Sequence, residues 1–352
     1  MGGRVHKARP PWPRSVFTYI LRRLIAAVML LFVVSIATFA IFFLVPRLAG
    51  MSADDLASRY VGKAANAEII HDTAIRLGFN DPIIVQYGRF VKGIFVGVER
   101  NYGPGVEHCP APCLGYSYVT QNPVLPDLLN RLPITLSLAL GAAVVWLVFG
   151  VATGVVSALR RGSFFDRLSM GVALAGVSLP IFFTGIVSLA IFRDQLGLVG
   201  DVADWVPFTE DPLTWANNLI LPWVTLAFLY AAGYARLTRA GMLETMSEDY
   251  IRTARAKGLP ERVVVLKHGL RATLTPVLTM FGLDLGLLLG GAVLTESTFS
   301  LPGIGKYAVD AIGNNDLPQV MGVTLLAATF IIVANLIVDM LYAVVDPRVR
   351  LS

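Results

Sequence analysis

The chain has 352 residues, 55% hydrophobic and 15% charged, with a mean hydropathy of +0.65; soluble domains carry about a quarter charged residues, so composition argues against a soluble globular class. A formal net charge of +5 does not mark a nucleic-acid partner here, because in so apolar a chain the placing of the basic residues matters more than their sum. Two cysteines, Cys109 and Cys113, are too few for a disulfide scaffold or a four-thiolate zinc site.

A bilayer core of about 30 Å is crossed by about 20 apolar helical residues, and six stretches qualify. The first, 24–45, follows Arg22 and Arg23 and holds no charge. It is too long for the apolar part of a cleaved signal peptide and reads as a retained helix, with cleavage after Ala49 the alternative. Residues 46–131 form a long loop with helix-like and Pro/Gly-rich parts. The second and third spans, 134–159 and 168–192, are charge-free, and Pro180 predicts a kink in the third. The fourth, 219–235, is shorter. A 38-residue loop, 236–273, precedes the fifth span, 274–295, which carries Asp284; the sixth, 320–345, carries Asp339.

Basic residues concentrate on one side of this layout. Segments 1–23, 160–167, 236–273 and the C-terminal tail hold 6, 3, 8 and 2 of the 29 Lys and Arg residues, whereas 16 of the 24 acidic residues fall on the other side. Positively charged loops stay in the cytoplasm during insertion, which puts both termini there.

The loop at 236–273 reads as helix, glycine hinge, helix. Helix formers fill 248–257, Gly258 suits a left-handed cap, and Pro260 suits the first turn of a second helix. Ile251 and Ala254 recur at helical spacing beside Tyr250, with Arg252, Arg255 and Lys257 on other faces. On physics alone this is an amphipathic helix attracted to membrane lipid.

The stretch DYIRTARAKGL, 249–259, resembles the cytoplasmic signature loop of permease subunits of binding-protein-dependent ABC importers, in their dipeptide and oligopeptide branch. Its small residues followed four positions later by glycine are matched by Thr253, Ala254 and Gly258. LGFNDPIIVQYGRF, RLPITLSLAL, SLPIFFTG, ESTFSLPGIGKYAVDAI and NLIVDMLYAVVDPRVR resemble the same family in the same order. The resemblance implies an all-α polytopic membrane protein with six transmembrane helices and the type I ABC importer permease fold, in a bacterial-type cytoplasmic membrane. Its parts would be a basic cytoplasmic tail (1–23), a first helix (24–45), an extracytoplasmic loop (46–130), a five-helix core (131–346) and a short tail (347–352). Asp249, Tyr250, Ile251, Arg252, Thr253, Ala254, Arg255, Ala256, Lys257 and Gly258 would be the helix that couples to an ATPase. The implied partners are a second related permease, two cytoplasmic ATPase subunits holding ATP and Mg, and an extracytoplasmic solute-binding protein. The implied cargo is di- or oligopeptides; the branch also contains nickel and glycoside permeases. The tail and the stretch 98–118 are enlarged relative to the family pattern.

No catalytic residue set and no cofactor site is expected in this chain. SLPGIGKYA has Ser300 and Tyr307 where a phosphate-binding loop needs Gly and Ser or Thr, and Gly303-x-Gly305-x-x-Ala308 lacks a preceding strand. The histidines, His6, His71, His108 and His268, lie in the tail and loops, outside every hydrolase or zincin motif.

Gly282, Gly286 and Gly290 predict a flat strip for close helix packing. Asp284 lies about 160° around the helix from Gly286. A carboxylate at mid-membrane costs roughly 2.5–3.5 kcal/mol; it either walls a transport path or meets a side chain of the partner permease. Buried acids of this kind also suit a channel or proton-coupled carrier, against which the signature loop argues. Asp339 reads as structural. Cys109 and Cys113 flank Pro110, Ala111 and Pro112 on the extracytoplasmic side, where a disulfide persists; free thiols and a metal site with His108 are the alternatives.

Overall fold

The structure is a computed structural model that describes residues 14–58, 61, 66–101, 106–117, 119–199 and 205–345. The tail residues 1–13 and 346–352 lie outside it. In chain order the helices are α1 (Arg14–Phe39), α2 (Val45–Leu48), α3 (Ala53–Ala57), α4 (Ala67–Leu77), α5 (Ile83–Val96), α6 (Val124–Leu159), α7 (Phe164–Ser178), α8 (Ile181–Ser188), α9 (Pro212–Thr245), α10 (Asp249–Ala256), α11 (Glu261–Val263), α12 (Arg271–Leu289), α13 (Val293–Thr298), α14 (Ile304–Gly313) and α15 (Leu317–Val345). The strands β1 (Val98–Asn101) and β2 (Val106–Cys109) pair antiparallel between α5 and α6. π-helical turns join α1 to α2 and α11 to α12. Five helical spans among the described residues are long and apolar enough to cross a bilayer, and the α7–α8 pair makes a sixth if it counts as one span.

The centre of the bundle is the parallel pair α6 and α9. Small residues let the two backbones meet: a Cβ on Gly150 would stand 2.8 Å from Tyr234 Cβ, and one on Gly154 would stand 2.6 Å from the Ala235 carbonyl oxygen. Around this seam pack Leu138, Trp146, Leu219, Leu226 and Tyr234, all fully buried or nearly so. Both helices end at the same pole of the bundle as α10, and both begin at the pole that holds α13 and α14.

The second span begins ten residues earlier than expected, at Val124, and three more differ from the expectation. The fourth is longer, because α9 continues well past residue 235 to Thr245 before the chain turns into α10. The fifth ends earlier. α12 stops at Leu289, and Gly291, at φ +124°, turns the chain so closely past Gly305 that an added Cβ would lie 2.9 Å from Gly305 Cα. The third is broken: α7 and α8 meet at 105°. Pro180 has no N–H to give α7 and drives Leu179 into extended backbone, φ −88° and ψ 130°. The bend is therefore a corner between two helices and not a kink in one.

The glycine strip on α12 faces α15. A Cβ on Gly286 would lie 3.0 Å from Ala334 Cβ, and one on Gly290 would lie 2.9 Å from Ala327 Cβ, so the helices touch through small residues on both sides. Gly282 is buried on the same helix. The side chain of Asp339, on α15, lies outside the described residues.

At the α13–α14 pole a buried acid organises the chain. Glu296, fully buried, accepts from Thr135 Oγ1 at 2.8 Å and from the Lys306 N–H at 2.9 Å, while Thr135 Oγ1 accepts from the Ile304 N–H at 2.9 Å. The SLPGIGK turn wraps this carboxylate. A Cβ on Gly303 would stand 2.5 Å from Glu296 Cδ, and one on Gly305 would stand 2.7 Å from Val293 Cα. The glycines that imitate a phosphate loop are thus clearance for a protein carboxylate. Arg131 adds a bond to the Pro302 carbonyl at 3.2 Å and lies over the Tyr307 ring. Burial, followed by the charge of Asp127, pushes the Tyr307 hydroxyl well above its usual range.

The segment before α6 is tied to the same pole. Cys109 and Cys113 form a disulfide, and the Cys113 N–H donates to the Gly93 carbonyl at 3.1 Å. The Ser117 hydroxyl donates to Asp316, a buried residue just before α15, and Gln319 Nε2 donates to Ser117 Oγ at 3.0 Å.

Two substitutions test the Glu296 clasp. Gly303→Ala forces a methyl into the carboxylate and should destabilise the protein by about 1–3 kcal/mol. Glu296→Gln presents an amide N–H2 to a backbone donor and should cost about 1–3 kcal/mol. Thermal unfolding of the detergent-solubilised protein reads both as lowered midpoints; an unchanged midpoint in Gly303→Ala would contradict the clasp.

Candidate functional site

α10 is a short helix held between two fixed ends. At its start Ile251 N–H donates to the Glu248 carbonyl at 3.1 Å, and no side chain caps it. At its end the Gly258 N–H donates to the Arg255 carbonyl at 2.9 Å and the Leu259 N–H to the Ala254 carbonyl at 3.4 Å. That pair of bonds is a Schellman ending, and it needs a left-handed residue. Gly258, at φ +74°, supplies it, in open space with nothing within 4 Å of an added Cβ. The helix ends at Ala256, one residue before the predicted end.

The two apolar residues face inward. Ile251 and Ala254 pack against Val264 and Met246, while Asp249, Tyr250, Arg252, Thr253, Arg255, Ala256, Lys257 and Gly258 are exposed. Across the hinge Arg255 forms a forked pair with Glu261, Nη2 to Oε1 at 2.7 Å and Nε to Oε2 at 3.2 Å. The Glu261 carboxylate raises the Arg255 guanidinium further above its already high range. The arrangement is an exposed polar ridge on a buried apolar base, which presents side chains of both signs to whatever meets this pole.

Asp284 sits on the opposite side of α12 from the glycine strip, half-buried against α9, where the Tyr234 hydroxyl donates to its Oδ2 at 2.8 Å. Tyr230 stacks on Trp146 next to it, centroids 4.8 Å apart. The chain itself thus supplies a partner for one carboxylate oxygen, an option absent from the sequence reading. α10 and Asp284 belong to different regions; the structure does not bring them together.

Sequence reasoning missed the buried acids outside the spans. Glu296, Asp316 and Asp166 each find partners far along the chain or across a turn. The faint signal for Asp166 was Ser163-x-x-Asp166, a helix-start pattern whose serine does cap α7, accepting from the Asp166 N–H at 3.1 Å. Nothing in the spacing connected it to Arg239.

Residues 150–351 match the family model described as the binding-protein-dependent transport system inner membrane component, and residues 16–139 match that of the N-terminal membrane component of the same systems. The chain is 36% identical to the dipeptide transport system permease protein of Alkalihalophilus pseudofirmus over 95% of its length and 100% of the relative. It is 39% identical to the di/tripeptide transport system permease protein of Pseudomonas aeruginosa, covering 95% and 99%. The glutathione transport system permease protein of Escherichia coli is 36% identical, again with 95% and 99% covered. Among solved structures, the inward-facing methionine ABC transporter MetNI aligns with a TM-score of 0.50 at 18% identity, covering 63% of this chain and 97% of that one, a likeness of fold.

The inward packing of α10 separates two kinds of substitution. Gly258→Val forces a β-branched residue into left-handed backbone at about 1–2 kcal/mol, and Ala254→Arg drives a charge into the Val264 contact. Both should distort the ridge. Arg252→Ala removes an exposed side chain and should leave helix and fold intact while weakening whatever the ridge binds. Limited proteolysis at Arg255 and Lys257 in membranes reads the difference: cleavage should rise in the first two and not in the third.

Proposed function

The chain belongs to the binding-protein-dependent transport system inner membrane component family, and from that premise we propose that it is the permease of an importer that carries di- or oligopeptides into the cytoplasm. It is a multi-pass membrane protein with the type I importer permease fold. Both termini and α10 face the cytoplasm, as the distribution of Lys and Arg implies. A second related permease chain lies beside it in the membrane. Two ATPase subunits, which hold the ATP and Mg, dock on the α10 ridge, and a solute-binding protein delivers cargo to the α13–α14 pole.

The observation that carries this reading is the build of α10. Its apolar residues are used inside the chain, its polar residues are exposed, and its two ends are fixed by hydrogen bonds, so a protein seated on the ridge would move the helix as a unit. Closure of the ATPases would draw α10 toward its counterpart and tilt the spans above it, which gives alternating access. The permease makes and breaks no covalent bond in its cargo.

The peptide assignment is favoured by the relatives matched over nearly their whole length, which are named as dipeptide, di/tripeptide or glutathione permeases. Asp284, with one oxygen held by Tyr234, is proposed as a polar contact on the path through the bundle.

Vesicles carrying the whole complex test the reading: ATP-dependent uptake of a labelled dipeptide that requires the binding protein is the expected result. Uptake of nickel or a glycoside in place of peptide would overturn the substrate assignment. In the same assay Asp284→Asn, which keeps the shape and the Tyr234 bond, should preserve the amount of complex and reduce uptake several-fold. Loss of the complex would instead place Asp284 at the interface with the partner permease.

A further inference from the structure

At the α10 pole a polar knot joins three helices, and the transport reading makes no use of it. Asp166, in the first turn of α7, is 3% exposed. Its Oδ1 accepts from Arg239 Nε at 2.7 Å and from the Ser157 hydroxyl, and its Oδ2 accepts from Arg239 Nη2 at 2.9 Å and from the Gly162 N–H at 2.8 Å. Ser157 is on α6, Gly162 in the turn between α6 and α7, and Arg239 on α9. The carboxylate thus gathers all three helices at one point. The forked geometry fixes the angle of approach as well as the distance, which a lysine would not do.

On one side of the knot the path to α10 has no free joint. α9 continues from Arg239 to Thr245, and the turn after it is bonded residue by residue: Met246 N–H to the Met242 carbonyl at 2.9 Å, Ser247 N–H to Glu244 at 3.1 Å, Glu248 N–H to Thr245 at 3.1 Å. On the other side α7 packs along α9, and beyond the fork its closest approach is at Gly176, where an added Cβ would lie 3.0 Å from the Phe228 carbonyl oxygen. Besides Asp166, its buried residues are Ala173 and Gly176. Past the 105° corner, α8 fits Gly185 against Thr298, where an added Cβ would lie 2.8 Å from Thr298 Cγ2, and places Ser188 Oγ 3.2 Å from Thr225 Oγ1. The broken pair therefore connects the knot at one pole to α13 at the other.

We infer that the Arg239–Asp166 fork is the joint through which displacement of α10 reaches the α7–α8 pair and, through it, α13. Arg239 and Asp166 are positioning residues that touch neither cargo nor nucleotide. The inference rests on α10 being the element that the ATPases move. Without the fork, α9 would still follow α10, and α7 would lag.

The test uses the whole complex with its ATPase subunits in nanodiscs. Spin labels go on Glu244→Cys, at the end of α9, or on Ile186→Cys, on α8 and 57% exposed, each paired with Val33→Cys on α1 as reference. The native cysteines are bonded to each other and take no label. Distances are measured without nucleotide and with ATP and vanadate. In the parent both distances should change, by about 1–2 Å or more, the scale of helix shifts in such transitions. With Arg239→Gln the Glu244 change should persist and the Ile186 change should fall to under about a third, a partial loss of coupling; Arg239→Lys, which keeps charge but not the fork, should fall between. A full Ile186 change in Arg239→Gln overturns the joint and leaves the knot a static staple, as does a parent in which Glu244 moves and Ile186 does not. If Arg239→Gln does not assemble, Arg239→Lys decides alone, and a full Ile186 change there overturns the inference. A parent with no change at Glu244 sinks the reading of α10 and this joint with it. Normal displacements without peptide uptake sink the substrate reading only.

Discussion

The contact on which the rest of the structure depends is the parallel seam between α6 and α9, where Gly150 and Gly154 bring one helix against the backbone of the other. In a bilayer there is little hydrophobic drive to pair helices, because lipid tails are as apolar as leucine; close packing has to supply the attraction instead. A side chain at either glycine would part the helices by more than the contact tolerates. The seam sets the direction of α9, so it also sets where α10 projects and where Arg239 meets Asp166. It buries Trp146 and Tyr234, and Tyr234 in turn holds Asp284.

The buried acids show how a mostly apolar chain keeps charge inside. Each solves the same desolvation problem with a different set of donors. Asp166 uses an arginine fork, a hydroxyl and a backbone N–H; Glu296 uses a threonine and backbone donors of a glycine turn; Asp316 uses a serine and the start of α15. Asp284 has a single tyrosine and stays half-buried. The fully satisfied acids sit where the chain needs fixed corners, near the two poles. The less satisfied one, the proposed polar contact on the path, sits in mid-span.

The same logic accounts for expectations that changed. Ala254, at helical spacing from Ile251, faces Val264 inside the chain, because a helix lying on a membrane protein uses its apolar side first for its own body. Pro180 was read as a kink. With Leu179 forced into extended backbone the helix cannot resume in line, so two helices and a corner result. The glycines of SLPGIGK make room for a glutamate seven residues earlier that folds back into the turn.

What the sequence determined by itself was what periodicity, length and local chemistry control: the membrane class, the approximate spans, the glycine strip on α12, the helix and left-handed cap at Gly258, and a family resemblance close to chain-long. These are legible because each is decided within a few turns of helix by the bilayer thickness or by backbone geometry. Only the tertiary structure decided which face of α10 is exposed, that α15 fills the glycine strip, and which donors reach Asp166, Asp284 and Glu296. Those depend on contacts between residues tens to hundreds of positions apart, and the reach of a hydrogen bond, about 3 Å, leaves no trace in spacing along the chain.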